Sequence, residues 1–150
     1  MARKSFYSIR SATKADAAEI ARLASQLGYP AAAGEILGRL ESLLDRPNHF
    51  IAVAAAEKQP RLLGWIAAEE RNLLITSKRV EIMGLVVDHS LRREGVGHTL
   101  VTEVERWAVK RGVGEVVVHS NIRRPESHPF YEQLGYHREK SQHVYLKQPV

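Results

Sequence analysis

The 150-residue chain contains no cysteine. That excludes disulfides, a thiol nucleophile, iron–sulfur clusters and cysteine-based zinc sites, and gives no sign of an oxidising compartment. The cytoplasm is therefore the expected location. No apolar run approaches the roughly 20 residues needed to cross a bilayer; the one at 51–56 is far too short. The first ten residues carry early positive charge with no apolar stretch behind it, so neither a secretory leader nor a membrane partner is expected. Aromatic residues make up only 7% and the basic residues are dispersed. Although 22 Lys+Arg against 17 Asp+Glu leave a net charge of +5, nucleic acid is thus not an expected partner. Seven histidines are present, but His119, His128 and His137 are nine residues apart and no ligand cluster is spelled out, so no metal is expected.

What remains is an ordinary globular composition, 44% hydrophobic and 26% charged, with no repeat, low-complexity tract or linker. One domain over 1–150 is expected. Residues 5–11 read as a strand. Thr13-Lys-Ala-Asp16 reads as a helix start with an acidic residue at the third position, opening a helix whose apolar face is Ile20, Leu23, Ala24 and Leu27 and which ends at Gly28. Ile36, Leu37, Leu40, Leu43 and Leu44 repeat at helical spacing in a second helix. The period then changes. Residues 50–56 and 62–69 read as a hairpin around a turn at 57–60, and 79–87 as a third long strand. A helix with the face Val96, Leu100, Val101, Val104, Trp107 and Ala108 follows, then a strand over 115–119, a short helix near 127–134 with Gly135 after it, and a last strand around 143–147. The pattern is an α/β sheet of mixed direction.

Between the third long strand and the long helix lies Leu91-Arg-Arg-Glu-Gly-Val-Gly-His98. A helix start offers unbonded N–H groups and the positive end of a dipole, glycines admit a bulky anion, and Arg92 and Arg93 can neutralise it. The segment thus reads as a phosphate cradle. It is not a P-loop, since Gly-Lys-Ser/Thr is absent, nor a dinucleotide fingerprint, since position 100 is Leu rather than Gly. The plain alternative is a strand-to-helix turn that uses glycine for geometry alone.

Arg92-Arg-Glu-Gly95-Val-Gly97 resembles the Arg/Gln-x-x-Gly-x-Gly/Ala motif of the GNAT family of N-acetyltransferases. Asn121 followed by Phe130-Tyr131-Glu-Gln-Leu-Gly135-Tyr136 is similar to that family's second signature, and the two fall in the family's order with a strand between them. The resemblance implies a mixed, mostly antiparallel sheet with helices on both faces. Its central strand pair would be splayed by a bulge in the strand before the glycine turn.

The resemblance also implies acetyl-CoA as cosubstrate and a set of site residues. The backbone of Leu85, Val86 and Val87 would pair with the pantetheine arm, with an N–H near Val86 polarising the thioester carbonyl. Arg92 and the amides of Arg93, Glu94, Gly95, Val96, Gly97 and His98 would hold the pyrophosphate, and Asn121 the pantetheine. Arg123 and Arg124 are candidates for the 3′-phosphate or an acidic substrate. Glu81, eleven residues before Arg92, stands at a spacing similar to that of the catalytic Glu in histone-type relatives; its plain alternative is a solvent-facing strand carboxylate. An ammonium of pKa near 10.4 must lose a proton before it can attack, so a base is required. Tyr131 corresponds to the family's general acid for the departing thiolate; its plain alternative is an aromatic core residue. Pro129 departs from the relatives' usual Arg and must sit in a first helical turn, capped by Ser127.

The expected activity is acetyl transfer from acetyl-CoA to a primary amine of a small molecule or protein, by direct attack. Homodimerisation is expected from family habit. The competing reading is a non-catalytic CoA-binding or interaction module of the same fold.

Overall fold

Five strands in simple sequential order, with helices on the two faces, account for most of the first 119 residues in the computed structural model, which describes residues 6–91, 94–121 and 127–150. The chain divides into two units, 1–119 and 120–150. In the first, β1 (Tyr7–Ser11), β2 (His49–Ala56), β3 (Leu62–Arg71) and β4 (Arg79–Val87) pair antiparallel in turn, and β5 (Val116–Val118) joins β4 in parallel. The mixed, mostly antiparallel sheet implied by the resemblance is therefore present.

Thr13 opens a single 3₁₀ turn, Lys14–Asp16, which runs into α1 (Ala17–Gln26). Asp16 reaches back to accept the Thr13 N–H at 2.8 Å and takes both Arg10 guanidinium nitrogens at 2.8 Å. Helix α2 (Ala33–Leu43) buries Ile36 and Leu40. Together they cover one face of the sheet, where Ile20, Leu23, Ile36 and Leu40 pack with Val53, Leu62 and Val86. Burying such side chains contributes about 1.5–3 kcal/mol each. The opposite face takes α3 (Val96–Lys110) through Val96, Leu100, Val101 and Val104, with Phe50 stacked on Trp107 at 5.3 Å between ring centroids. Gly64 permits this approach: a Cβ there would stand 2.8 Å from the Val86 carbonyl oxygen and 3.3 Å from a Leu100 methyl.

Strand β4 carries a bulge. Ala67 faces Gly84 and Ala68 faces Ile82, so Met83 is an extra residue with no opposite number. On its other edge β4 meets β5 only over Val80–Ile82, because β5 stops at Val118. Past the bulge, β4 faces no strand on that side among the described residues, which is the splay the resemblance predicts.

In the C-terminal unit, α4 (Ser127–Gln133) closes at Gly135, with the Tyr136 N–H donating to the Tyr131 carbonyl at 3.1 Å. Ser127 is itself the first helical residue and not the cap the sequence suggested. Pro129 sits in the first turn as required, where its missing N–H has no helical acceptor to lose. The strand expected around 143–147 is not formed: residues 136–150 make no helix or strand, and Val144, Tyr145 and Leu146 are exposed. Their alternation and β-branching favour extended backbone, but a strand exists only where a second backbone completes its ladder.

Candidate active site

The site is organised along β4. Near the start of the strand, Glu81 is buried, with 8% exposure. It is not the solvent-facing carboxylate that alternation allowed. Register sets it opposite Glu69 on β3 and Val117 on β5, on the sheet face that carries α1 and α2 further along. Arg71 donates to its Oε1 at 3.3 Å, and the His119 Nδ1 lies 3.7 Å from its Oε2. Glu69 in turn lies 4.0 Å from His49 Nε2. The bulge at Met83 matters here. It adds one residue, so that Glu81 and Gly84 can share a face although they are three apart.

Beyond the bulge, the backbone of Leu85, Val86 and Val87 continues the ladder with β3. The Asp88 N–H donates to the Leu63 carbonyl at 2.9 Å, and the Val86 carbonyl points towards Gly64. Because hydrogen-bonded and non-bonded pairs alternate along an antiparallel ladder, the N–H and C=O of Leu85 and Val87 turn the other way, into the side that no strand occupies. Val86 thus faces β3, and the outward-facing donors near it are those of its two neighbours.

The strand is followed by a 3₁₀ turn, His89–Leu91, and then by the cradle segment. Arg92 and Arg93 lie outside the described residues, as do Arg123 and Arg124. Glu94, Gly95 and His98 are exposed, while Val96 and Gly97 are buried. Gly95 caps α3 with φ +85°, a left-handed conformation that a side chain would strain, and a Cβ there would meet open space. Its glycine is thus required by backbone conformation rather than by crowding. The N–H groups of Val96, Gly97 and His98 begin a 15-residue helix and have no intrahelical acceptor; the ladder starts at Thr99 N–H to Gly95 O, 3.0 Å.

Asn121 and Tyr131 belong to the C-terminal unit. Asn121 is exposed. Tyr131, on α4, meets Phe130 and Tyr136 edge-on at 5.0 and 5.9 Å between centroids, and burial pushes its phenol up to about 12. It therefore keeps its proton at neutral pH. Among the described residues there is no group of three or more His, Asp or Glu able to hold a metal ion.

The acetyltransferase (GNAT) family model matches residues 14–136. The chain belongs to the GNAT acetyltransferase family. Among curated GNAT relatives, N-acetyltransferase family 8 member 3 of Mus musculus is 26% identical over 92 residues, which is 61% of this chain and 41% of that protein. The rat protein of the same name is 25% identical over the same length, covering 61% of this chain and 40% of its own. The matched part thus spans about two-fifths of those relatives. Among solved structures, the aminoglycoside N-acetyltransferase AAC(6')-Iy in complex with a bisubstrate analogue superposes with a TM-score of 0.83 at 23% identity, covering 96% of this chain and 99% of the other. AAC(6')-Ih from Acinetobacter baumannii gives 0.82 at 21%, with the same coverage. These superpositions establish the GNAT fold over nearly the whole chain.

Two features of the site were not read from the sequence. Arg71, the partner of Glu81, lies at the end of β3 and only the register brings it across. Asp88, 3% exposed at the end of β4, is the other: it follows an apolar strand with no local partner except Ser90. Its arginines come from residues 22 and 61, which no spacing rule connects to it.

Proposed function

We propose that the protein is an acetyl-CoA-dependent N-acetyltransferase, moving an acetyl group to a primary amine of a small molecule or a protein by direct attack in a ternary complex. The observation that carries this reading is the coincidence on β4 of a buried, sparsely bonded carboxylate and a backbone flank that no strand occupies, with a glycine-capped helix start just beyond.

Acetyl-CoA supplies the activated thioester, and the chain's own residues do the rest. The outward-facing backbone of Leu85 and Val87 pairs with the pantetheine arm, with Asn121 as a further hydrogen-bonding partner. The cradle from Arg92 and Arg93 through Glu94, Gly95, Val96, Gly97 and His98 holds the pyrophosphate with backbone donors and two guanidinium groups. Glu81 takes the proton from the incoming ammonium, directly or through a water, and frees its lone pair. The Leu85 N–H, nearer Glu81 than that of Val87, is the donor that stabilises the developing oxyanion. As the carbon–sulfur bond breaks, Tyr131 gives its proton to the thiolate. Glu69, directly opposite Glu81 and so on its face, supplies a second carboxylate suited to an acceptor that arrives positively charged.

The same reading takes 1–150 as one acetyltransferase domain acting in the cytoplasm, as a homodimer by family habit and without a bound metal. The names of the aminoglycoside enzymes it superposes on favour including aminoglycosides among the acceptors tried. The test incubates purified protein and acetyl-CoA with aminoglycosides, polyamines, amino acids and peptides, following free thiol and product mass. Amine-dependent thiol release with a product heavier by one acetyl group is expected. Saturable CoA binding with no transfer to any amine would instead favour a binding module.

A further inference from the structure

Between β4 and the cradle, the chain ties down four successive N–H groups. That of Asp88 donates to Leu63 O at 2.9 Å, and that of His89 to Gln26 Oε1 on α1 at 3.0 Å. The Ser90 N–H donates to Asp88 Oδ1 at 3.2 Å, and the Leu91 N–H to Asp88 O at 2.9 Å. The Asp88 carboxylate is the hub. Its Oδ1 also accepts the Ser90 hydroxyl at 3.0 Å, and its Oδ2 accepts Arg61 at 2.7 Å and Arg22 at 3.1 Å. Arg22 is itself fixed by Glu19, at 2.8 and 3.0 Å, and donates to the Leu62 carbonyl at 3.0 Å. Glu19 closes the circuit by accepting the Leu62 N–H at 2.9 Å.

Ion pairs to arginines that are more than a third exposed contribute little net stability, and burying a carboxylate costs desolvation. What the network does is fix where β4 ends, and hence where the backbone enters the segment leading to Gly95 and α3. We propose that Asp88, with Arg61, Arg22 and Gln26, positions the lead-in to α3 at Glu94 and Gly95, where the Glu94 N–H donates to the Leu91 carbonyl at 3.4 Å, so that this network sets affinity for the diphosphate half of acyl-CoA and not the chemistry at the thioester. The inference rests on the cradle role proposed above, with Asp88 a positioning residue that touches no substrate.

The test compares two acetyl donors, acetyl-CoA and S-acetylpantetheine, which lacks the diphosphate. Asp88→Asn is expected to raise the CoA dissociation constant and the acetyl-CoA KM about tenfold, the size of a lost charge-assisted contact. The kcat at saturating acetyl-CoA should stay within about twofold, and kcat/KM for S-acetylpantetheine should not change. Gln26→Ala removes one half-buried acceptor and should shift the same constants in the same direction by less, which keeps the inference testable if Asp88→Asn folds poorly. Equal losses with both donors, or unchanged CoA affinity in both variants while the wild type binds, would overturn it. A wild-type protein that binds no CoA would overturn the functional reading itself, and this inference with it.

Discussion

Strand β4 buries a carboxylate near one end, Glu81, and its following residue buries another, Asp88; the two are equipped in opposite ways. Asp88 takes four hydrogen bonds from two arginines and a serine. Among the described residues, Glu81 takes one, at 3.3 Å, from a partly exposed arginine, with an imidazole nearby at 3.7 Å. A carboxylate offers about four lone-pair directions, so Asp88 is saturated and Glu81 has capacity left for an incoming donor. A saturated carboxylate can only hold structure; one with spare acceptor sites can receive a proton or an ammonium. The backbone repeats the contrast in reverse. Among the described residues, the strand around Glu81 is bonded to β3 and β5, while towards Asp88 it is bonded to β3 alone. A carboxylate with spare acceptor sites and a backbone edge with free pairing capacity thus lie in series on one strand.

The largest loss is expected of Glu81→Gln. It keeps shape and most of the packing but removes the proton acceptor. It should lower kcat by about a hundredfold or more and leave CoA affinity close to wild type. A variant as active as wild type across the whole pH range would mean that Glu81 is not the base.

The backbone half is tested with proline, which deletes one N–H. Leu85→Pro removes an N–H that faces away from β3 and breaks no ladder bond, whereas Val86→Pro removes one that faces β3. Leu85→Pro should stay folded by circular dichroism and lose about a hundredfold in kcat, as expected for one oxyanion donor. Val86→Pro should lose stability before activity can be compared. If both fold and work alike, the assignment of facing directions fails.

Much of this was legible in advance. The 79–87 strand, the glycine turn and α3 were readable because a mostly apolar nine-residue stretch, two glycines and a helical face are local signals. Glu81 stood out for the same reason, as one charge in an apolar strand. Its burial was not legible, since alternation permits either face to be covered and only the register with β3 and β5 decides it. The Asp88 network was invisible because its members are 66 and 27 residues apart in sequence. The expected strand at 143–147 failed for a related reason: propensity is local, but a ladder needs a partner, which no single segment can specify.

A smaller effect concerns acid stability, which depends on the carboxylates that arginines and backbone donors hold. Burial pushes the Asp88 carboxyl up, but Arg61, Ser90 and Arg22 together hold it well below the usual range. Arg22 and the Leu62 N–H hold Glu19 low despite burial, and Arg10 and Thr13 do the same for Asp16. In each case the folded form binds its proton at lower pH than the unfolded chain, whose carboxyls titrate near about 3.9–4.3. The resulting stability is complete above roughly pH 5 and drains away as pH falls through that range and below it. Wild-type melting temperature should therefore drop steeply below about pH 4. Asp88→Asn should start about 1–3 kcal/mol less stable at neutral pH and show a shallower decline, because the carboxyl held lowest is gone. Parallel curves for wild type and Asp88→Asn would show that Asp88 is not held low, and would erase the distinction drawn between the two carboxylates.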